Sequence, residues 1–137
     1  MAKSLNTNAI DIIITKAMLQ LGFSPALNGF YFLRDAIKIA CKDSESLTLI
    51  TKLIYAPLAK SYKTTSKNIE KSIRLSSEFV WNSNKSSDNS EPKNITVLNN
   101  IYTFSSRRPE NRELIALISG FVKNSGEIFD TDISKGI

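Results

Sequence analysis

Between Ile50 and Trp81 two helical patterns lie so close that only Lys63-Thr64-Thr65 separates them, and this spacing limits how the chain can fold. Helices joined by so short a polar turn cross at a steep angle, the helix-turn-helix arrangement. The second pattern, Ser66 to Trp81, puts Ile69, Ile73, Ser76 and Val80 at the intervals of a buried stripe and leaves Lys67, Glu70, Lys71, Arg74 and Glu78 pointing away. Apolar anchors on one side and charged or amide groups on the other are what a helix needs to seat in a core and face a DNA groove. The same charges also suit a merely solvated face. Glu70 and Arg74 form an i,i+4 pair, which on an exposed helix contributes about 0.2 to 0.5 kcal/mol.

Charge placement sharpens this reading. The chain has 137 residues and a net charge of +5. From Lys52 to Arg74 six cations (Lys52, Lys60, Lys63, Lys67, Lys71 and Arg74) face one acid, Glu70, an excess equal to the whole net charge. Such focusing favours a polyanionic partner. The chain has no histidine, which removes Ser-His and Cys-His nucleophile pairs and the common zinc sites. No phosphate-cradling glycine loop is visible either, so the expectation is no enzyme, no metal and no cofactor. Cys41 is the only cysteine and sits among Ala36, Ile37, Ile39 and Ala40, where it reads as core packing in a reducing cytoplasm. No apolar run approaches the ~20 residues of a membrane span, and the N-terminus lacks a secretory core.

The rest of the chain reads as packing helices, and the expected fold is all-α with a single domain over residues 1–137 and a core at about 8–123. Asn8 is placed to cap a first helix with Ile13 or Ile14, Ala17, Met18 and Leu21 inward, stopped by Gly22. A second helix follows Gly29 and runs to about Cys41. A third, roughly Glu45 to Ile54, ends before Pro57, because the residue ahead of a proline disfavours helix, and a short helix from Pro57 to Tyr62 follows. Thr64 or Thr65 can cap the next helix, although no glycine occupies the turn. Asn82 to Asn94 reads as a polar loop, Ile95 to Ile101 as a short helix and Tyr102 to Pro109 as a basic loop. Glu110 to Lys123 reads as a final helix with Leu114, Leu117, Ile118 and Phe121 inward, and 124–137 as a frayed tail. No strand pattern is discerned.

A specific series of motifs runs through this framework: Leu21-Gly22, Gly29-Phe30-Tyr31-Phe32-Leu33-Arg34-Asp35-Ala36-Ile37, Ile50-Thr51-Lys52-Leu53-Ile54-Tyr55, Ala59-Lys60, Thr64-Thr65, Ile69-Glu70-Lys71-Ser72-Ile73-Arg74, Trp81, Tyr102-Thr103 and Arg108-Pro109-Glu110-Asn111-Arg112-Glu113-Leu114-Ile115-Ala116. Over roughly Ile12 to Val122 the chain resembles the C-terminal DNA-binding effector domain of the master response regulator of sporulation initiation, the stage 0 sporulation protein A family. The resemblance implies a compact bundle of about six helices. It also implies binding to double-stranded DNA at promoter boxes of the TGTCGAA type, as a homodimer on tandem sites, with RNA polymerase as a further partner. The family's base-contacting glutamate falls on Glu70 and its base-contacting arginines on Lys71 and Arg74. A carboxylate can accept from cytosine N4, and an arginine can fork onto guanine O6 and N7.

Lys71 keeps an arginine's charge without its planar fork, which makes guanine reading there less exact. Asn68 stands where the family usually has a basic residue, and Leu75 where it usually has histidine. The family's full protein carries a phosphate-accepting receiver ahead of this domain. Here Met1 leads almost directly into the first effector helix, so a stand-alone effector without a phosphorylation switch is expected.

The leading expectation is therefore a cytoplasmic, sequence-specific transcriptional regulator with Glu70, Lys71 and Arg74 on base edges. Lys60, Lys63, Thr65, Lys67, Asn68, Arg107 and Arg108 are expected on phosphates. The alternative is a protein-interaction module that pairs with or antagonises a full-length sporulation regulator.

Overall fold

The computed structural model describes residues 2–84 and 92–125, with side chains from Ala9 onward. Helix α1 spans Ala2–Leu21 and α2 spans Phe30–Lys42. A 3-10 helix, Ser44–Leu49, leads into a π-helical turn, Thr51–Tyr55, which passes directly into α3, Ala56–Ser61. Helix α4 covers Ser66–Asn84, strands β1 (Asn94–Val97) and β2 (Asn100–Thr103) form a hairpin, and α5 covers Asn111–Asn124. With Thr51–Ser61 counted as one continuous rod, the described residues form six helical segments and one two-stranded sheet, so the fold is all-α in substance.

The stop of α1 is as expected. Gly22 adopts φ +110, the Gly22 N–H donates to Leu19 O at 3.1 Å and the Phe23 N–H to Met18 O at 2.9 Å, which closes the helix as a Schellman motif. Its start is not. Asn8 lies inside α1, because no Gly or Pro between Ala2 and Asn8 interrupts the backbone ladder. The inward stripe Ile13, Ile14, Ala17, Met18 and Leu21 is buried, as are Phe30, Leu33, Ile37 and Ala40 of α2. Helix α5 packs chiefly against α2 and then α1.

A break before Pro57 does not occur. Ala56 holds helical angles, φ −65 and ψ −45, and its N–H donates to Thr51 O across a widened five-residue turn. Pro57 then falls in the first turn of α3, where a missing N–H costs least. The chain ahead of it is a 3-10 helix instead of the expected α-helix from Glu45, opened by Asp43, whose carboxylate accepts from the Glu45 N–H at 3.1 Å.

The expected helix from Ile95 to Ile101 is a β-hairpin, and the first residues of the expected basic loop, Tyr102 and Thr103, belong to its second strand. Strands β1 and β2 pair antiparallel, with Ile95 opposite Tyr102 and Thr96 opposite Ile101. The connecting residues Leu98 and Asn99 both have positive φ, 49° and 69°, the twist-matched geometry of a two-residue hairpin turn. Leucine tolerates this strained position because its side chain is buried and its N–H donates to Gln20 Oε1 of α1 at 2.8 Å. The hairpin clamps the end of α4: Trp81, Tyr102 and Phe104 meet edge to face, with Trp81 and Phe104 centroids 5.0 Å apart.

Asn82 to Asn84 of the expected polar loop extend α4 and Asn94 begins β1. Residues 85–91, together with the expected tail from residue 126, lie outside the described residues.

Candidate nucleic-acid interface

The turn between α3 and α4 is built from backbone hydrogen bonds and one hydroxyl. Tyr62 N–H donates to Leu58 O at 2.9 Å and Thr64 N–H to Ala59 O at 2.8 Å, while Lys63 takes the left-handed position, φ 57, that glycine fills in many such turns. Thr65 Oγ1 accepts from the Asn68 N–H at 3.1 Å and caps α4, as expected of a threonine there. Asn68 Nδ2 donates to Thr64 Oγ1 at 2.9 Å, so both polar groups of the cap are fixed before any ligand arrives.

Helix α4 is held from beneath. Ile69, Ile73, Ser76 and Val80 are buried as expected, and Ser77 and Trp81 join them. Gly29 makes the seat possible: its N–H donates to Ser76 Oγ at 3.1 Å, and the missing side chain lets α2 begin directly against the α4 backbone. On the far side Asn111, the first residue of α5, donates from Nδ2 to Glu70 O at 3.0 Å and to Tyr55 Oη at 3.2 Å. Burial pushes the Tyr55 phenol above its ordinary pKa, so it stays a neutral partner.

The outer surface of α4 collects the expected charges. Lys67 and Lys71 are exposed, and Glu70, Arg74 and Glu78 are half-exposed. Arg74 Nε donates to Glu70 Oε2 at 3.2 Å, and its guanidinium lies 3.7 Å from Glu78 Oε2. These contacts run along one helix, and the side chains stay 37% to 41% exposed, so the pairing orients Arg74 without covering it. Lys60, at the end of α3, and Lys63 are exposed. Among the described residues no ion pair holds Lys60, Lys63, Lys67, Lys71 or Arg112.

The two arginines of the basic loop separate. Arg107 turns to Glu113 at 3.3 Å, whose carboxylate also accepts from the Glu110 N–H at 2.8 Å. That backbone hydrogen bond, followed by Arg107, holds the Glu113 carboxyl below its ordinary range. Arg108 instead lines a surface cleft of about 420 Å³ with Tyr55, Glu70, Arg74, Asn111 and Arg112. Arg112 received no role from sequence. Its signal was its place at the start of α5, beside an asparagine that reaches across to α4.

Cys41 is buried, and burial pushes its thiol up to about 11, the state of an inert packing residue. Among the described residues no cluster of three metal-ligating side chains occurs, and no helix is long and apolar enough to cross a membrane.

Residues 14–122 match the family model described as Sporulation initiation factor Spo0A C terminal. The chain belongs to this family. The Spo0A C-terminal domain is a DNA-binding effector of transcription in sporulation, which gives the helix-turn-helix a partner class and places the chain in a regulatory rather than an enzymatic family. The match spans every described element apart from the first turns of α1 and the last residues of α5.

Proposed function

We propose that the chain is a sequence-specific regulator that inserts the outer face of α4 into the major groove of double-stranded DNA at promoter boxes of the TGTCGAA type. The observation that carries this is the joining of Arg74 Nε to Glu70 Oε2 on the half-exposed face of α4, with Nη1 3.7 Å from Glu78 Oε2 and no ion pair at Nη2 among the described residues. A carboxylate oxygen suits a cytosine N4 amino group, and guanidinium nitrogens suit guanine O6 and N7. The Glu70–Arg74 pair thus has the chemistry to read a cytosine next to a guanine, as the box contains. Lys71 supplies a point charge to the same groove.

Lys60, Lys63 and Lys67 flank this edge and suit phosphates, as do Arg108 and Arg112 from the neighbouring cleft. Thr65 and Asn68 serve phosphate binding by holding the cap in shape. The Arg107–Glu113 pair makes Arg107 a weaker candidate than its neighbour.

Binding of the box and of random duplex by Arg74→Ala and Lys63→Ala tests the assignment. Arg74→Ala is expected to erode preference for the box by about 1 to 3 kcal/mol, while Lys63→Ala weakens both duplexes alike. Equal losses from the two substitutions would remove Arg74 from the base edges.

Glu78 restrains Arg74 from the next turn and adds a negative charge near the duplex. Glu78→Gln is therefore expected to tighten binding about two- to threefold, the factor for ~0.5 kcal/mol, with stability almost unchanged. Titration of a labelled duplex measures this, and unchanged or weaker binding contradicts the placement of Arg74 at the groove.

A further inference from the structure

Leu75 is 47% exposed on α4, one turn after Lys71 and directly after Arg74. It lies about 40° around the helix axis from Lys71, the residue roughly opposite the buried Ile69–Ile73 stripe, so it is nearer the middle of the outer face than Glu70 is. Resting on the reading of α4 as a groove-entering helix, we propose that Leu75 is a specificity-determining residue that packs against the 5-methyl group of a thymine.

Charge decides the occupant. The apolar side chain stands among Lys67, Lys71 and Arg74 on the same surface, and the two lysines have no carboxylate partner among the described residues. A ligand for this spot must be a polyanion that also offers an apolar group. The thymine methyl is what the major groove presents, and no other base carries one there. Phe79 is more exposed, at 58%, but lies a turn further along, whereas groove-entering helices touch base edges with their N-terminal residues. Leu75 thereby adds apolar recognition to the polar reading by Glu70 and Arg74, and a histidine at this position would exchange the methyl contact for a hydrogen bond.

The test uses the duplex that the protein selects from a random pool, with each thymine in turn replaced by deoxyuridine, which removes only the methyl group. One replacement is expected to weaken the unsubstituted protein about fourfold, the factor for ~0.8 kcal/mol of one methyl-sized group taken from water. Phe79→Ala should show the same loss. Leu75→Ala, at unchanged melting temperature, should bind the thymine and deoxyuridine duplexes alike. Indifference of the unsubstituted protein to every replacement, a loss that persists in Leu75→Ala, or one that disappears only in Phe79→Ala overturns the proposal while leaving DNA recognition by α4 standing. Failure to select any duplex overturns both.

Discussion

Replacing Gly29 by alanine is expected to destabilise the chain by about 3 kcal/mol, although the backbone there suits any residue. With φ −89 and ψ 5, Gly29 needs no conformational freedom. What it supplies is space, since a Cβ would stand 2.3 Å from Ser72 O, 2.6 Å from Ser72 C and 2.8 Å from Ser76 Oγ. Two of those atoms are backbone of α4, so no side-chain rotation relieves the clash. Either α4 or α2 must move, and movement loosens the Gly29 N–H···Ser76 Oγ bond beneath the proposed reading helix. The gain from stiffening the unfolded chain, about 0.4 to 1 kcal/mol, is too small to compensate. Gly120→Ala is the control. A Cβ at Gly120 meets nothing within 4 Å, and the residue lies inside α5, so this substitution should stabilise by about 0.5 to 1 kcal/mol. Urea denaturation of both variants measures the pair. A Gly29→Ala loss under about 1 kcal/mol would contradict the close approach of α2 to α4.

Duplex affinity should fall about 500-fold between 50 and 200 mM salt. In the proposed complex Lys60, Lys63, Lys67, Arg108 and Arg112 supply about five phosphate contacts, for which counterion release gives a slope near −4.5 in log affinity against log salt. Arg107 is ion-paired with Glu113, whereas Arg108 and Arg112 line the cleft beside α4. Arg107→Ala should reduce the slope less than Arg108→Ala or Arg112→Ala, each expected to reduce it by about 1, because Glu113 offsets part of the Arg107 charge. Affinity measured across a salt series decides this, and a slope shallower than about −2 would contradict the phosphate assignment.

The parts of the fold that were legible in sequence share one physical cause: strong local periodicity with an unambiguous stop. Helix α2 behind Gly29, the end of α1 at Gly22 and the buried stripe of α4 are all of this kind. The hairpin was not legible because Leu98 occupies a turn position that sequence assigns to glycine or asparagine. What holds it there is Gln20, far away in the chain. Continuity through Pro57 was hidden because a widened turn can absorb the missing N–H only once the flanking helices are packed. At the site, Glu70, Lys71 and Arg74 stand together on one face of α4, as periodicity indicated. The separate fates of Arg107 and Arg108 depend on Glu113 and on the cleft beside α4, neither visible from two adjacent arginines.

Selection of bound duplexes from a random pool at near-physiological salt, repeated with Arg74→Ala, bears most directly on the role of the exposed α4 face. The expected result is one short box enriched by the unsubstituted protein, with the cytosine–guanine step degraded when Arg74 is gone. Enrichment of no sequence, or of the same box with undiminished strength by Arg74→Ala, would contradict it.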